Sequence, residues 1–208
     1  MTLVKICGIK NLNEARAAQA AGAWAIGQVF APSSRQISPD EAAFINTQLS
    51  GGVLKIGVFV NEQLETVRRL IDFCHLDAVQ LHGDESAEYL EEIQVPVIKS
   101  FPVRGTMDIG FLKRWRPWAY HFDSFRSGPI RGGSGSVFNW SWLENLPEGT
   151  KMIISGGLNS DNVSSLIKQM KPWAVDISSG VEFPGGGKDP AAIIEFINKV
   201  READGDDA

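Results

Sequence analysis

The chain has 208 residues, enough for one domain with a sizeable core but short for an eight-fold barrel of about 250 residues. Its 43% hydrophobic and 22% charged residues are ordinary globular values, a net charge of −5 with no basic block excludes a nucleic-acid footprint, and no apolar stretch nears the roughly 18 residues of a membrane span. Two cysteines without metal-like spacing read as free thiols, and the start Met1–Lys5 carries no charged-then-apolar leader, so the expected compartment is the cytoplasm.

Apolar runs recur along the chain and predict eight strands: Leu3–Cys7, Trp24–Phe30, Leu54–Val60, Ala78–Leu81, Val97–Phe101, Ala119–Phe122, Met152–Ile154 and Ala174–Ile177. Most are continuous rather than alternating, as in parallel strands buried on both faces. Helical patterns lie between and after them. Asn11–Ala21 is Ala-rich and stops at Gly22. Ser38, Pro39 and Glu41 form a capping-box start, and Asn61–Cys74 puts Leu64, Val67, Leu70 and Ile71 on one stripe. Ser86–Ile93, Met107–Trp115, Ser141–Leu146, Asp161–Met170 and Asp189–Arg201 complete the series, several opened by Ser or Asp. Strand and helix alternating eight times predict an α/β single-domain (β/α)8 barrel with short loops over residues 1–208, of which 202–208 read as a frayed tail. The alternative, a doubly wound open sheet, lacks a Gly-x-Gly-x-x-Gly opening its first helix.

In such a barrel the C-terminal strand ends point into the site. They offer Cys7, Arg35, Gln80, His82, Asp123, the Gly132–Gly135 turn, Gly156 with Gly157, and Asp176 with Ser178, Ser179 and Gly180. The glycine-rich turns after the seventh and eighth strands suit a phosphate, because backbone N–H groups can approach an anion with no side chain in the way. Cys7 at the rim is a candidate thiolate base or nucleophile, against the plainer reading of a buried small hydrophobe. Asp123 ends an apolar strand, where a dry cleft would raise its carboxyl toward general-acid range; otherwise it caps a turn. His121 shares a face with Asp123, but no third metal ligand has suitable spacing. His82 reads as a structural imidazole, Cys74 as packing, and Arg35 as a carboxylate or phosphate clamp if it is not simply solvated.

Lys5-Ile6-Cys7-Gly8-Ile9, Phe30 through Arg35, Val79 through Glu85, Phe122-Asp123, Gly132 through Gly135 with Phe138 and Trp140, Ser155 through Leu158, and Asp176 through Glu182 with Pro184-Gly185 and Lys188-Asp189 follow one another in order. Together they closely resemble phosphoribosylanthranilate isomerase, over residues 4 to about 197. The resemblance implies a metal-free, cofactor-free (β/α)8 enzyme of tryptophan biosynthesis. It would convert N-(5-phosphoribosyl)anthranilate to 1-(o-carboxyphenylamino)-1-deoxyribulose 5-phosphate by an Amadori rearrangement.

Carried onto this chain, Cys7 is the general base and Asp123 the general acid. Arg35, Gln80 and Asp176 contact the substrate, and Gly133, Ser134, Gly135, Gly156, Gly157, Ser178, Ser179 and Gly180 hold its phosphate. Ser136 and Asn139 depart from the residues commoner in the family at those positions. The expected partner is a small phosphosugar, bound by a monomer, with association with other tryptophan-pathway enzymes left open. The competing readings are a non-catalytic phosphate-binding barrel and another sugar-phosphate isomerase.

Overall fold

The structure is a computed structural model that describes residues 1–49, 51–124 and 137–205. Eight parallel strands close into a barrel in sequence order: β1 (Leu3–Cys7), β2 (Ala25–Val29), β3 (Leu54–Phe59), β4 (Ala78–Leu81), β5 (Val97–Val103), β6 (Ala119–Ser124), β7 (Met152–Ile154) and β8 (Ala174–Ile177). The helices α1 (Leu12–Ala21), α2 (Pro39–Gln48), α3 (Leu64–Cys74), α4 (Ala87–Glu91), α5 (Ile109–Leu112), α6 (Val163–Met170) and α7 (Pro190–Asp204) connect them or follow β8. The expected (β/α)8 architecture is therefore present.

Local chemistry explains where the helices begin and stop. The Ser38 hydroxyl accepts from the Glu41 N–H, while the Glu41 carboxylate accepts from the Ser38 N–H, the reciprocal box expected ahead of Pro39. Gly22 ends α1 in the left-handed region at φ 89°, which a glycine adopts without strain.

Two expectations need correction. The segment read as a helix over Ser141–Leu146 is a single 3₁₀ turn, Trp140–Leu143, because Asn139 caps it and Pro147 follows within a turn and a half. The tail read as frayed from residue 202 is ordered through Gly205: α7 runs to Asp204, Gly205 caps it, and the Asp204 carboxylate accepts from the Thr2 N–H and hydroxyl. A buried clasp thus ties the end of α7 to the start of β1.

Alternation along each strand sorts side chains into two environments. Outward residues such as Val4, Ile6, Ile26, Val79, Phe122, Ile154 and Val175 pack under the helices, where α7 contributes Ile193, Phe196, Ile197 and Val200. Inside the barrel, Ala25, Ile56, Ala78, Ile98, Ala119, Ile153 and Ala174 form an apolar floor, closed below by Trp24, Trp118 and Trp173. One step further along the same inward faces the residues turn polar: Lys5 and Cys7, Gln80, Ser100, His121 and Asp123, Ser155, Asp176. The chemistry therefore stands on a dry apolar floor.

Phe196 is fully buried where α7 covers the barrel, whereas Phe44 on α2 is 57% exposed. Phe196→Ala should lower unfolding free energy in urea by about 3–5 kcal/mol, and Phe44→Ala by about 0.5 kcal/mol or less. Equal effects would contradict this division between core and surface.

Candidate active site

β1 delivers Lys5 and Cys7, two residues apart, to the barrel interior. Both crowd against Gly27 of β2: a Cβ there would lie 2.7 Å from the Cys7 sulfur and 3.2 Å from Lys5 Cε. Glycine is needed at this place for volume, not for an unusual φ. The Lys5 ammonium is fully buried and donates to Asp176 Oδ2 at 2.7 Å, joining β1 to its neighbour β8 at directly paired positions. His121 Nε2 on β6 lies 3.1 Å from the same oxygen. Burial pushes the Asp176 carboxyl up, but Lys5 and His121 outweigh it and hold the group at about 2. Burial depresses His121 and keeps it neutral. Asp176 Oδ1 and His121 Nδ1 are buried without a hydrogen-bond partner among the described residues.

Cys7 is partly exposed at the mouth. Burial of the thiol raises its proton affinity, against the pull of Lys5 and Lys188. Desolvation of a thiolate outweighs the two nearby cations.

Asp123 ends β6 on the side of the mouth away from β1. Its Oδ1 accepts from the Ser124 N–H at 2.8 Å, and its Oδ2 lies 3.4 Å from His82 Nε2. Below His82, the Gln80 amide nitrogen faces His82 Nδ1 at 3.0 Å and Ser100 Oγ at 3.2 Å. With that donor opposite it, Nδ1 accepts, so Nε2 carries the proton and presents it to Asp123. Burial pushes the Asp123 carboxyl up, yet the His82 hydrogen bond and the two imidazoles prevail, and it lies below its ordinary value. This corrects the expectation that a dry cleft alone would raise it. Gln80, expected to touch substrate, directs its amide nitrogen at His82 and Ser100, and its Oε1 is buried without a hydrogen-bond partner among the described residues.

The turns after β7 and β8 meet. Gly156 and Gly157 take φ values of 88° and 65°, left-handed conformations that favour glycine. Gly156 backs onto the acid side, since a Cβ there would lie 2.9 Å from Asp123 Oδ1 and 2.7 Å from the Ser124 nitrogen. Gly180, in the short turn Ser179–Val181, would place a Cβ only 2.1 Å from the Leu158 carbonyl oxygen. The two turns touch because Gly180 has no side chain to hold the Leu158 carbonyl away. Ser178 donates its hydroxyl to the Cys7 carbonyl at 2.9 Å, so this turn is tied to β1 as well. Gly133, Ser134 and Gly135 lie outside the described residues.

Beside these turns, Arg35 forks onto Glu182 at 2.7 and 2.8 Å. Lys188 donates to Glu182 at 2.7 Å and to the Ser178 carbonyl at 3.1 Å. Burial raises Glu182, but the two cations hold it at about 2. Two cations share one carboxylate, so the Arg35–Glu182–Lys188 cluster carries a net positive charge. Sequence reasoning singled out neither Lys188 nor Glu182 except as parts of a motif, and it passed over Lys5. A signal for Lys5 was present: a lysine inside an apolar strand, two residues from a rim cysteine, has to face the same interior.

Comparisons with known proteins agree with this arrangement. Residues 4–199 match the sequence profile of N-(5'-phosphoribosyl)anthranilate isomerase. The enzyme of that name from Syntrophomonas wolfei is 59% identical over 202 residues, covering 97% of this chain and 98% of its own. A solved structure of monomers generated from the dimeric isomerase of Thermotoga maritima superposes with a TM-score of 0.84 at 36% identity, covering 97% of this chain and all of the other. A phosphoribosylanthranilate isomerase solved with reduced 1-(o-carboxyphenylamino)-1-deoxyribulose 5-phosphate does so with a TM-score of 0.83 at 38% identity, over 97% of this chain and all of the other. The family match along nearly the whole chain, on a barrel with these residues at its mouth, places this protein in the N-(5'-phosphoribosyl)anthranilate isomerase family.

Proposed function

We propose that this chain isomerises N-(5'-phosphoribosyl)anthranilate to 1-(o-carboxyphenylamino)-1-deoxyribulose 5-phosphate, a step of tryptophan biosynthesis, with Cys7 as general base and Asp123 as general acid. The observation that carries the reading is the placement of a thiol on β1 and a carboxyl on β6, across one barrel mouth, with the Gly156-Gly157 and Ser178–Gly180 turns between them.

The chemistry uses both groups once. Asp123 gives a proton to the ribose ring oxygen as the C1–O bond breaks, and the anilino nitrogen lone pair forms the iminium. The Cys7 thiolate then takes the C2 proton, whose electrons neutralise the iminium and leave an enolamine. Protonation at C1 and loss of the C2 hydroxyl proton give the ketone. Cys7 ends protonated and Asp123 ionised, the same distribution that burial and the imidazoles favour in the free protein. The reactive form holds the same number of protons in the other arrangement. Substrate assists the exchange at Asp123, because its phosphate and aryl carboxylate bring negative charge to the mouth and raise a nearby carboxyl.

Arg35 and Lys188 supply the positive field for the aryl carboxylate, Glu182 keeping the Arg35 guanidinium oriented. Asp176 Oδ1, buried and unpartnered, accepts from the substrate, and Gln80 acts on it through His82. The phosphate sits on the backbone N–H groups of Gly156, Gly157, Ser178, Ser179 and Gly180; Gly133, Ser134 and Gly135, the further phosphate contacts expected from the sequence, lie outside the described residues. Every residue in this scheme belongs to one chain, so a monomer acting on a diffusible phosphosugar in the cytoplasm suffices, although the Thermotoga maritima relative is dimeric.

Turnover of freshly prepared phosphoribosylanthranilate tests the reading and separates it from a non-catalytic binding barrel. Cys7→Ala and Asp123→Asn should each cut turnover by about 10²–10⁴ while product binding stays nearly unchanged. With deuterium at C2, Cys7→Ser should show a larger isotope effect than wild type and Asp123→Asn a smaller one. Full activity in Cys7→Ala overturns the base assignment.

Phosphate seating has a separate test. Gly180→Ala forces the two turns apart at Leu158 and should weaken inorganic phosphate binding in calorimetry by about tenfold or more, as expected when a charged hydrogen bond is lost. Gly185→Ala, with open space at its Cβ, should bind as wild type. Equal affinity in both variants would place the phosphate elsewhere.

A further inference from the structure

We propose that Lys5 is a positioning residue that stabilises the thiolate form of Cys7 and so sets the fraction of enzyme with a competent base. The inference rests on the reading of Cys7 as that base. Three observations carry it. Lys5 and Cys7 are consecutive inward residues of one strand, pressed together against the bare backbone of Gly27. The Lys5 ammonium donates one of its three N–H groups to Asp176, while its Cε and the Cys7 sulfur crowd the same point over Gly27, so the positive charge stands beside the sulfur. The pair Lys5–Asp176 is buried in the barrel interior, with His121 as the further contact of Asp176, so water does not dilute the effect of the ammonium on the sulfur.

The other charged groups facing Cys7 come from neighbouring elements. Asp176 on β8 opposes the thiolate, whereas Lys188, ahead of α7, favours it. Arg35, on the loop after β2, interacts with the sulfur while forked onto Glu182. Lys188 and Arg35 already share that carboxylate, and they lie next to the pocket that the substrate's own anions will fill. Lys5 lies beneath the sulfur, and among the described residues its only carboxylate partner is the one on β8. Asp176 therefore acts as the counterweight: it keeps Lys5 charged and at the same time takes up part of that charge. Without it, the sulfur becomes the sole anionic partner of the ammonium. A purely structural Lys5–Asp176 clamp between β1 and β8 would hold the barrel together and leave the thiol's titration alone.

The experiment follows alkylation of Cys7 by iodoacetamide against pH in the intact protein, read by mass on the Cys7 peptide. Cys74, buried and pushed up to about 11, serves as the slow internal reference. At fixed neutral pH, Lys5→Gln should alkylate at Cys7 about tenfold or more slowly than wild type, with its profile moved to higher pH; one pH unit corresponds to that tenfold. Asp176→Asn should move the profile the other way and alkylate faster, and Lys5→Arg should lie between wild type and Lys5→Gln. Should Lys5→Gln fail to fold because it leaves Asp176 buried and unpaired, Asp176→Asn decides with its opposite sign. An unchanged profile in Lys5→Gln, or slower alkylation in Asp176→Asn, overturns the proposal. Turnover of Cys7→Ala is scored separately: activity there overturns the base assignment while the alkylation profiles still decide whether Lys5 governs the thiolate.

Discussion

The ion pair between Lys5 and Asp176 is the interaction on which the rest of the site depends. It joins the first strand to the last at the seam where the barrel closes, and both partners are taken almost entirely out of water. A lone buried charge would be prohibitive, and a pair is tolerated only when its remaining valences are satisfied or used. Here His121 takes a share of Asp176, and the Cys7 sulfur lies beside Lys5 over Gly27. The polar layer is thus a connected structure, supported by an apolar floor that excludes solvent from below.

Two sets of polar contacts rise from that layer to the mouth. On one side Cys7 is bound through its carbonyl to Ser178, which Lys188 links to Glu182 and Arg35. On the other, Gln80 fixes the tautomer of His82, which presents its proton to Asp123. Gly156 packs directly on Asp123, and Gly180 directly on the neighbouring turn. Asp123, Cys7 and the glycine turns are consequently coupled through the backbone; on the proposed reading, a phosphate seated on those turns would also fix where the sugar lies between Cys7 and Asp123. Such preorganisation places reacting atoms without ordering the groups during the reaction itself.

The strands were legible in the sequence because parallel barrel strands, buried on both faces, appear as short apolar runs; all eight were located, and the ends of most differ by two residues or fewer. The helix expected over Ser141–Leu146 was not, since a six-residue stretch followed by Pro147 has too few turns to declare its period, and a 3₁₀ turn satisfies it. The rim positions of Cys7 and Asp123 followed from strand ends. Their ionisation did not, because it depends on burial and on His82 and Lys188, which come from distant parts of the chain and are brought close only by barrel closure. The pairing of Arg35 with Glu182 was hidden for the same reason, with 147 positions separating the two.

The central claim is that one sugar phosphate lies between Cys7 and Asp123 with its phosphate on the turns after β7 and β8. A crystal structure of this protein with reduced 1-(o-carboxyphenylamino)-1-deoxyribulose 5-phosphate measures that directly. The account predicts the Cys7 sulfur about 3–3.5 Å from C2, the Asp123 carboxyl within hydrogen-bond reach of the oxygen that was in the ring, and the phosphate against Gly157 and Gly180. A ligand whose phosphate binds away from those turns, or whose C2 faces neither Cys7 nor any atom near it, would contradict the account.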